Sequence, residues 1–515
     1  MLIDILLTIF SGVMLVFAFS PVDMEFLAWV GMVPLFFALS GKNKAKAFLV
    51  GLLWGVVFFL GTVYWVVNSM ANYGGVPFLI SLLILFALAV YLGLFPALFG
   101  FGISTASSPG MSLLSKILFA SCLWVGLEYI RANMITAGFP WVLLGCSQSL
   151  FLPLIQIADI TGVYGISFLI VLVNMVVFFA LSYWLGKGKR LPVKEGLLIF
   201  IILIGVLAYG FFRIDEVDRI SANWKRLKVG IAQGNIDQGR KWDIAFQKEI
   251  VDIYKRLSLA LAKQGARLII WPESAVPFFL QSDKNFGPEI LNLPKQTGAF
   301  LLSGADTYGP SPRGEARYYN SALLLSPEGE IVGKYDKIHL VPFGEYVPLK
   351  RYLPFIHKLV VGVGDFSSGK ALTPLGLDDK SFGVLICFES IFPELARGFA
   401  KEGAGFLVNI TNDAWFGKSS APYQHFSQAV FRAVENKMFL VRAANTGISG
   451  VIDPVGRVQA KSGIFTEEAM IEDIRAKDAN LFTFYSRYGD IFAIGCLILS
   501  AGFLLLILRK GTDYV

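Results

Sequence analysis

Phe382-Gly383-Val384-Leu385-Ile386-Cys387-Phe388-Glu389 decides how the polar part of this chain is read. It is an apolar run of strand length that ends on a thiol and a carboxylate. Comparable runs lie on both sides of it, at Leu227–Gln233, Arg267–Trp271, Phe300–Ser303, Ser321–Leu325, Ile331–Tyr335, Gly405–Ile410 and Leu440–Ala444. Between the first two of these, a helix is predicted from Asp243, because Phe246, Ile250, Tyr254, Leu257 and Leu261 recur on one helical face. Pro327-Glu328-Gly329-Glu330 has the composition of a hairpin turn. Strand-like runs alternating with amphipathic helices predict an α/β layered domain over residues 216–486.

Beyond that region the chain changes character. Apolar stretches near 5–20, 26–40, 48–69, 78–103, 113–130, 164–185, 197–212 and 489–508 approach the length of a bilayer crossing, so eight spans are expected. The stretch 139–158, from Phe139-Pro140-Trp141 onward, is apolar but broken and reads as an interfacial or re-entrant arm. The expected organisation is a seven-span membrane domain over 1–215, the α/β domain over 216–486, and a last span with a short tail over 487–515.

Composition agrees with this division. Of the 515 residues 55% are hydrophobic and 16% charged, the latter against about 25% in soluble domains, which excludes a wholly soluble or disordered chain. The net charge of +7 suits either nucleic acid or basic loops at a membrane, and position decides. Lys42, Lys44, Lys46, Lys116, Lys187, Lys189, Arg190, Lys194, Arg509 and Lys510 all fall on the side that carries the termini, and the other short connections offer only Arg131. Basic residues favour the cytoplasmic face, so the termini are predicted inside and residues 216–486 outside, with no nucleic-acid partner.

Four cysteines and three histidines, widely spaced, predict neither a disulfide framework nor a metal site, and no cofactor. Three chemically capable residues do follow strand-like runs: Glu273 in Trp271-Pro272-Glu273-Ser274, Lys337 in Tyr335-Asp336-Lys337, and Cys387. Strand ends of one sheet can converge on one crevice. Each residue also has an ordinary structural reading: Cys387 as a buried strand thiol, Lys337 as a strand-end charge, Glu273 as a cap. A reactive thiol would need a cation to favour its thiolate and a carboxylate to carry a proton, and Lys337 and Glu273 are of those types.

The sequence around these positions resembles the nitrilase, or carbon-nitrogen hydrolase, superfamily: Trp271-Pro272-Glu273, then Lys337 with Val341-Pro342-Phe343-Gly344-Glu345, then Ile386-Cys387-Phe388-Glu389, then Asn412-Asp413-Ala414-Trp415-Phe416-Gly417. With seven spans before and one after, and with Gln233-Gly234-Asn235 and Lys241-Trp242, the whole chain resembles the bacterial apolipoprotein N-acyltransferase family.

The resemblance implies a nitrilase-like αββα sandwich beside the polytopic helical domain. It implies a triad of Glu273 as general base, Lys337 as transition-state stabiliser and Cys387 as nucleophile, with Glu345 and Glu389 as supporting carboxylates and Trp242, Asn320, Phe388 and Trp415 shaping the site. Position 388 is Phe where several relatives carry Tyr, which removes any role for a phenol hydroxyl there. The implied reaction passes an acyl chain from a phospholipid through a cysteine thioester to the α-amino group of a diacylglyceryl-cysteine apolipoprotein. The implied setting is a bacterial inner membrane, with a monomeric enzyme whose catalytic domain faces the periplasm. Val347–Val363 is rich in Leu, Val, Ile, Tyr and Phe and is read as either a lid dipping into lipid or a packing loop. A membrane-anchored amidase with the same triad is the first rival. A transporter or receptor is the second, and the scarcity of mid-span ionisable residues, Glu128 being an exception, argues against it.

Overall fold

The computed structural model describes residues 1–106, 111–133, 138–310, 316–347, 365–478 and 481–512. They form two compact units. One comprises Met1–Tyr64, Leu79–Asp215 and Tyr488–Val515, and the other Trp65–Phe78 with Glu216–Arg487.

Among the described residues of the first unit, five helices are long and apolar enough to cross a membrane: Lys44–Val63, Phe78–Thr105, Leu113–Asn133, Val163–Trp184 and Val193–Ser221. The other three expected spans fall on shorter apolar helices, Leu2–Phe17, Glu25–Leu39 and Ile491–Ile507. Glu25–Leu39 is not one continuous α-helix, since a 3₁₀ turn at Glu25–Trp29 gives way to a seven-residue helix at Val33–Leu39. Length and composition therefore support five crossings directly, and eight remains the expectation of the hydropathy pattern.

The broken arm after residue 138 has a short 3₁₀ turn at Leu144–Gln148, and Trp141, Val142, Leu143 and Leu144 are buried. Non-helical backbone in an apolar setting needs internal partners. Glu128 Oε1 accepts from Leu144 N at 2.7 Å, Ser167 Oγ accepts from Gly145 N at 2.8 Å, and Arg131 donates to the carbonyls of Phe139 and Trp141 at 3.0 and 2.8 Å. The mid-span glutamate thus holds backbone.

Among the described residues, the second unit is built on twelve strands: β1 (Lys225–Gln233), β2 (Leu268–Ile270), β3 (Phe300–Pro310), β4 (Ala316–Leu325), β5 (Ile331–Asp336), β6 (Leu375–Leu377), β7 (Lys380–Ile386), β8 (Phe406–Thr411), β9 (Leu440–Ala444), β10 (Gly450–Ile452), β11 (Val458–Lys461) and β12 (Glu468–Ala476). They make two six-stranded sheets, ordered β12-β1-β2-β3-β4-β5 and β11-β10-β9-β8-β7-β6. The strands β1 to β3 pair in parallel, as do β7 to β9. Strands covered on both faces carry unbroken apolar runs, and β8 and β9 are buried at every position.

The sheets face each other, with β1 against β9 and β4 against β7. Helix Gln247–Lys263 covers β1 and β2, turning Ile250, Tyr254, Leu257 and Leu261 into the core, and Ile290 and Leu293 of helix Gly287–Thr297 join the same apolar cluster. Helices Pro393–Lys401 and Ala421–Asn436 cover the other sheet. The result is the expected αββα sandwich. The Pro327–Glu330 turn closes the β4–β5 hairpin through Ser326 N to Glu330 O and Gly329 N to Ser326 O, both 2.8 Å. Stretch 347–363 lies outside the described residues apart from buried Val347.

Residues 65–78 pack within this second unit. Asn68 Nδ2 and Ser69 Oγ donate to the Trp415 carbonyl at 2.8 and 2.9 Å, and the rings of Trp65 and Tyr73 meet Phe416 and Trp415 edge-on. Gly417 permits the approach: its φ is +60°, and a Cβ there would lie 2.9 Å from the Asn68 side chain.

Candidate active site

Three strand ends deliver the chemistry. β2 ends at Ile270 and is followed by Trp271, whose ring stacks on Tyr254 and whose Nε1 donates to Ser258 Oγ at 2.9 Å, fixing where Pro272-Glu273-Ser274 begins. That segment runs directly over β3, because Gly304 has no side chain; a Cβ there would sit 2.6 Å from Glu273 Cα. β5 ends at Asp336 and is followed by Lys337, whose N–H donates to the Asn320 carbonyl on β4 at 2.9 Å. β7 ends at Ile386 and is followed by Cys387, which has φ +53° and opens a 3₁₀ turn over Cys387–Ile391. A side chain other than glycine in the left-handed region is strained, and such strain gathers at functional positions.

The buried cluster has few loose ends. Lys337 Nζ lies 3.0 Å from Glu345 Oε1 and 3.4 Å from Glu273 Oε1. Asn320 Nδ2 donates to both carboxylates at 2.8 Å. The remaining oxygens accept from backbone, Glu273 Oε2 from Asn412 N at 3.0 Å and Glu345 Oε2 from Val341 N at 2.7 Å. Burial disfavours the Lys337 charge, but the carboxylates of Glu345 and Glu273 outweigh it and hold its pKa above the ordinary lysine value. Burial pushes the Cys387 thiol well above the usual range; the Glu273 charge adds to this and Lys337 opposes it. Burial thus favours the neutral thiol of Cys387 over its thiolate.

Glu389 supports from behind. Its Oε1 accepts from Tyr335 OH, Ile338 N and His339 N at 3.0, 2.6 and 3.2 Å, and its Oε2 from Ile386 N at 2.7 Å, tying the end of β5 to the turn that carries the thiol. Phe388 is half-buried and packs edge-on against Phe392. Trp242 is 41% exposed, and Trp415 is half-buried against Tyr73.

Sequence reasoning missed the polar network beneath Cys387. The Cys387 carbonyl accepts from Ser390 Oγ at 3.1 Å and lies 3.1 Å from His425 Nε2. His425 Nδ1 faces Asp413 Oδ1 at 3.0 Å, and Asp413 Oδ2 pairs with Arg442 at 2.8 Å, all three side chains being inaccessible or nearly so. Burial works against the Asp413 charge, yet Arg442 and His425 hold its carboxyl below the usual carboxylate range. Arg442 also donates to Asn409, its register partner across β8 and β9. A histidine, an arginine and an asparagine inside otherwise apolar segments were the available signal. Removing one partner of such a pair strands a buried charge at a cost of about 3–5 kcal/mol. Asp413→Ala is accordingly expected to lower the thermal midpoint of the detergent-solubilised protein markedly, and an unchanged midpoint would contradict this account.

Two further buried ionisable groups adjoin Glu273. Lys241 Nζ donates to the Glu273 carbonyl at 3.1 Å, and burial lowers its pKa to about 8. Asp306 on β3 is the register partner of Asn320 and accepts from Ser274 Oγ at 3.4 Å.

Two family models match the chain, an apolipoprotein N-acyltransferase N-terminal domain over residues 11–176 and a carbon-nitrogen hydrolase over 228–482. The apolipoprotein N-acyltransferase of Geobacter metallireducens is 44% identical over 496 residues, covering 96% of this chain and 93% of the relative. That of Pasteurella multocida is 32% identical over 515 residues, covering 98% and 96%. Among solved structures, a point mutant of the Nesterenkonia AN1 amidase from the nitrilase superfamily aligns with TM-score 0.37 and 19% identity, over 51% of this chain and 93% of that one.

Proposed function

This chain belongs to the apolipoprotein N-acyltransferase family, acyltransferases of the carbon-nitrogen hydrolase superfamily, and from that premise we propose that Glu273, Lys337 and Cys387 transfer an acyl chain from a phospholipid to the N-terminal amine of a lipoprotein. The observation that carries the reading is the convergence of a strained thiol, a carboxylate and an ammonium at three strand ends, with Glu273 and Lys337 the leading charges acting on Cys387.

In the first half-reaction Glu273 takes the thiol proton as Sγ attacks the ester carbonyl, and the Lys337 ammonium stabilises the oxyanion. The carbon–oxygen bond breaks, Glu273 returns the proton to the leaving oxygen, and a lysophospholipid departs from a Cys387 thioester. In the second, the α-amine of a diacylglyceryl-cysteine attacks, the carbon–sulfur bond breaks, and Glu273 carries the amine proton to the thiolate. The membrane unit has a physical purpose here. Drawing an acyl chain into water costs about 0.8 kcal/mol per CH₂, and a site beside the bilayer avoids most of that. Incubation with phospholipid vesicles followed by intact-protein mass spectrometry tests the reading. A long-chain acyl adduct on Cys387 is expected, whereas a small acyl adduct formed only from amides would support an amidase and no adduct a binding protein.

The proposed setting is a bacterial inner membrane with the termini cytoplasmic and residues 216–486 periplasmic. Support comes from the basic connections and from Trp65–Phe78, which falls on the outer side in an eight-span topology and packs with Glu216–Arg487. A reporter joined after residue 190 is expected to be cytoplasmic and one inserted at 314 periplasmic; the same side for both would refute the topology.

A further inference from the structure

The triad handles one proton per half-reaction, but an α-amino group has an ordinary pKa of about 7.7–8.0 and arrives mostly as an ammonium ion. It must lose one proton to become a nucleophile and another as the new carbon–nitrogen bond forms. The second goes through Glu273 to the departing sulfur. The first has no receiver among the residues assigned so far: Lys337 is already fully protonated, and Glu345 is occupied by Lys337, Asn320 and Val341 N.

We propose that Asp306, reached through the Ser274 hydroxyl, accepts the proton that the incoming ammonium must shed before it attacks the thioester. This rests on the thioester reading above. Ser274 follows Glu273 directly, is held at φ +46°, and donates to Asp306 Oδ1 at 3.4 Å. Left-handed backbone at a serine between two reactive carboxylates is strain in search of a function. Asp306 is 5% exposed, and among the described residues its carboxylate has that one hydrogen bond and no ion pair. Its register partner Asn320 is the residue whose amide touches Glu273.

In the relay, an ammonium N–H bond breaks as its proton passes to Ser274 Oγ, the Ser274 proton passes to an Asp306 oxygen, and the amine keeps the electron pair with which it attacks. Asp306 then releases the proton to solvent as product leaves. The charges facing Asp306 are Lys241, Glu273 and Glu345. Burial pushes Asp306 up to about 7, with Lys241 opposing and Glu273 and Glu345 reinforcing, so the group can both gain and lose a proton near neutrality.

The test uses the full-length protein with phospholipid vesicles. The acyl-enzyme is formed first and then discharged in a single turnover by a diacylglyceryl-cysteinyl peptide, followed by intact mass from about pH 6 to about pH 9. Asp306→Asn is expected to form acyl-enzyme as the unsubstituted protein does. It should discharge to the peptide several-fold more slowly near pH 7, where only about 10% of a free α-amine is neutral and Asp306 can still take a proton, and approach the unsubstituted rate near pH 9, where the amine is neutral, and near pH 6, where Asp306 is already filled. Ser274→Ala should shift the profile in the same direction. Discharge by hydroxylamine, which is largely neutral at pH 7, should be the same in all three proteins. An unchanged pH profile in Asp306→Asn, or an equal loss at every pH and with hydroxylamine, would overturn the proposal. Absence of acyl-enzyme in the unsubstituted protein would instead remove the thioester reading, and this one with it.

Discussion

Cys387→Ala is expected to abolish both the acyl-enzyme and acyl transfer, while the protein remains folded and in the membrane. Alanine removes the sulfur and keeps the backbone contacts: the Cys387 carbonyl still meets Ser390 and His425, and Glu389 still holds the turn through Ile386 N. Without the thiol there is no covalent intermediate, and direct attack by the amine on the ester would have to proceed in one unassisted step. Retained turnover in this variant would remove the thioester mechanism. Cys387→Ser should be nearly as inactive, because an alkoxide is far harder to form than a thiolate, and burial already makes even the thiolate costly here.

The second large effect separates the base from the stabiliser. Glu273→Gln preserves size and much of the bonding to Asn320 and Asn412 N. If Glu273 carries protons, both half-reactions should slow by about 10²–10⁴-fold; if it only orients Lys337, both should remain close to normal. Lys337→Met removes the ammonium and is expected to slow chemistry by about 10²–10³-fold through the lost oxyanion contact. The two variants differ in their response to pH. In Lys337→Met the cation that opposes the upward shift of the thiol is gone, so Cys387 alkylation should need a higher pH than in the unsubstituted protein. Raising pH should restore alkylation there without restoring transfer. Alkylation and single-turnover transfer across pH measure both, and normal transfer in either variant would sink the assigned role.

How much of this was legible in sequence depends on the residue. Glu273, Lys337 and Cys387 each follow an apolar run, so their placement at strand ends followed from pattern alone. Their convergence did not, because it depends on which strands are neighbours. Helix Gln247–Lys263 was legible through its periodicity. The edge strand β12 was not: Glu468, Glu472, Asp473 and Arg475 make it look like solvated chain, and its pairing with β1 appears only in the fold. The short strands β6 and β10, three residues each, lie below the length at which alternation can be counted. Asp306 was hidden for another reason, and Lys241 stood out only as part of Lys241-Trp242. A single charge in or beside a strand reads as a solvent-facing residue, and only the β3–β4 register and the path of the chain bring these two to Glu273. Eight crossings were counted from hydropathy, and the break in Glu25–Leu39 marks where local helix geometry departs from an averaged apolar window.

The packing of residues 65–78 bears on how this enzyme can be taken apart or recombined. A gene fragment encoding 216–487 is contiguous in sequence but encodes an incomplete fold. It would leave the Trp415 carbonyl without its Asn68 and Ser69 donors, and would bare the rings of Trp415 and Phe416 that Tyr73 and Trp65 cover. Excising that fragment as a water-soluble hydrolase should therefore yield aggregating protein, as should grafting it onto a foreign anchor. A swap between relatives would need the 65–78 peptide to travel with it as a second insert.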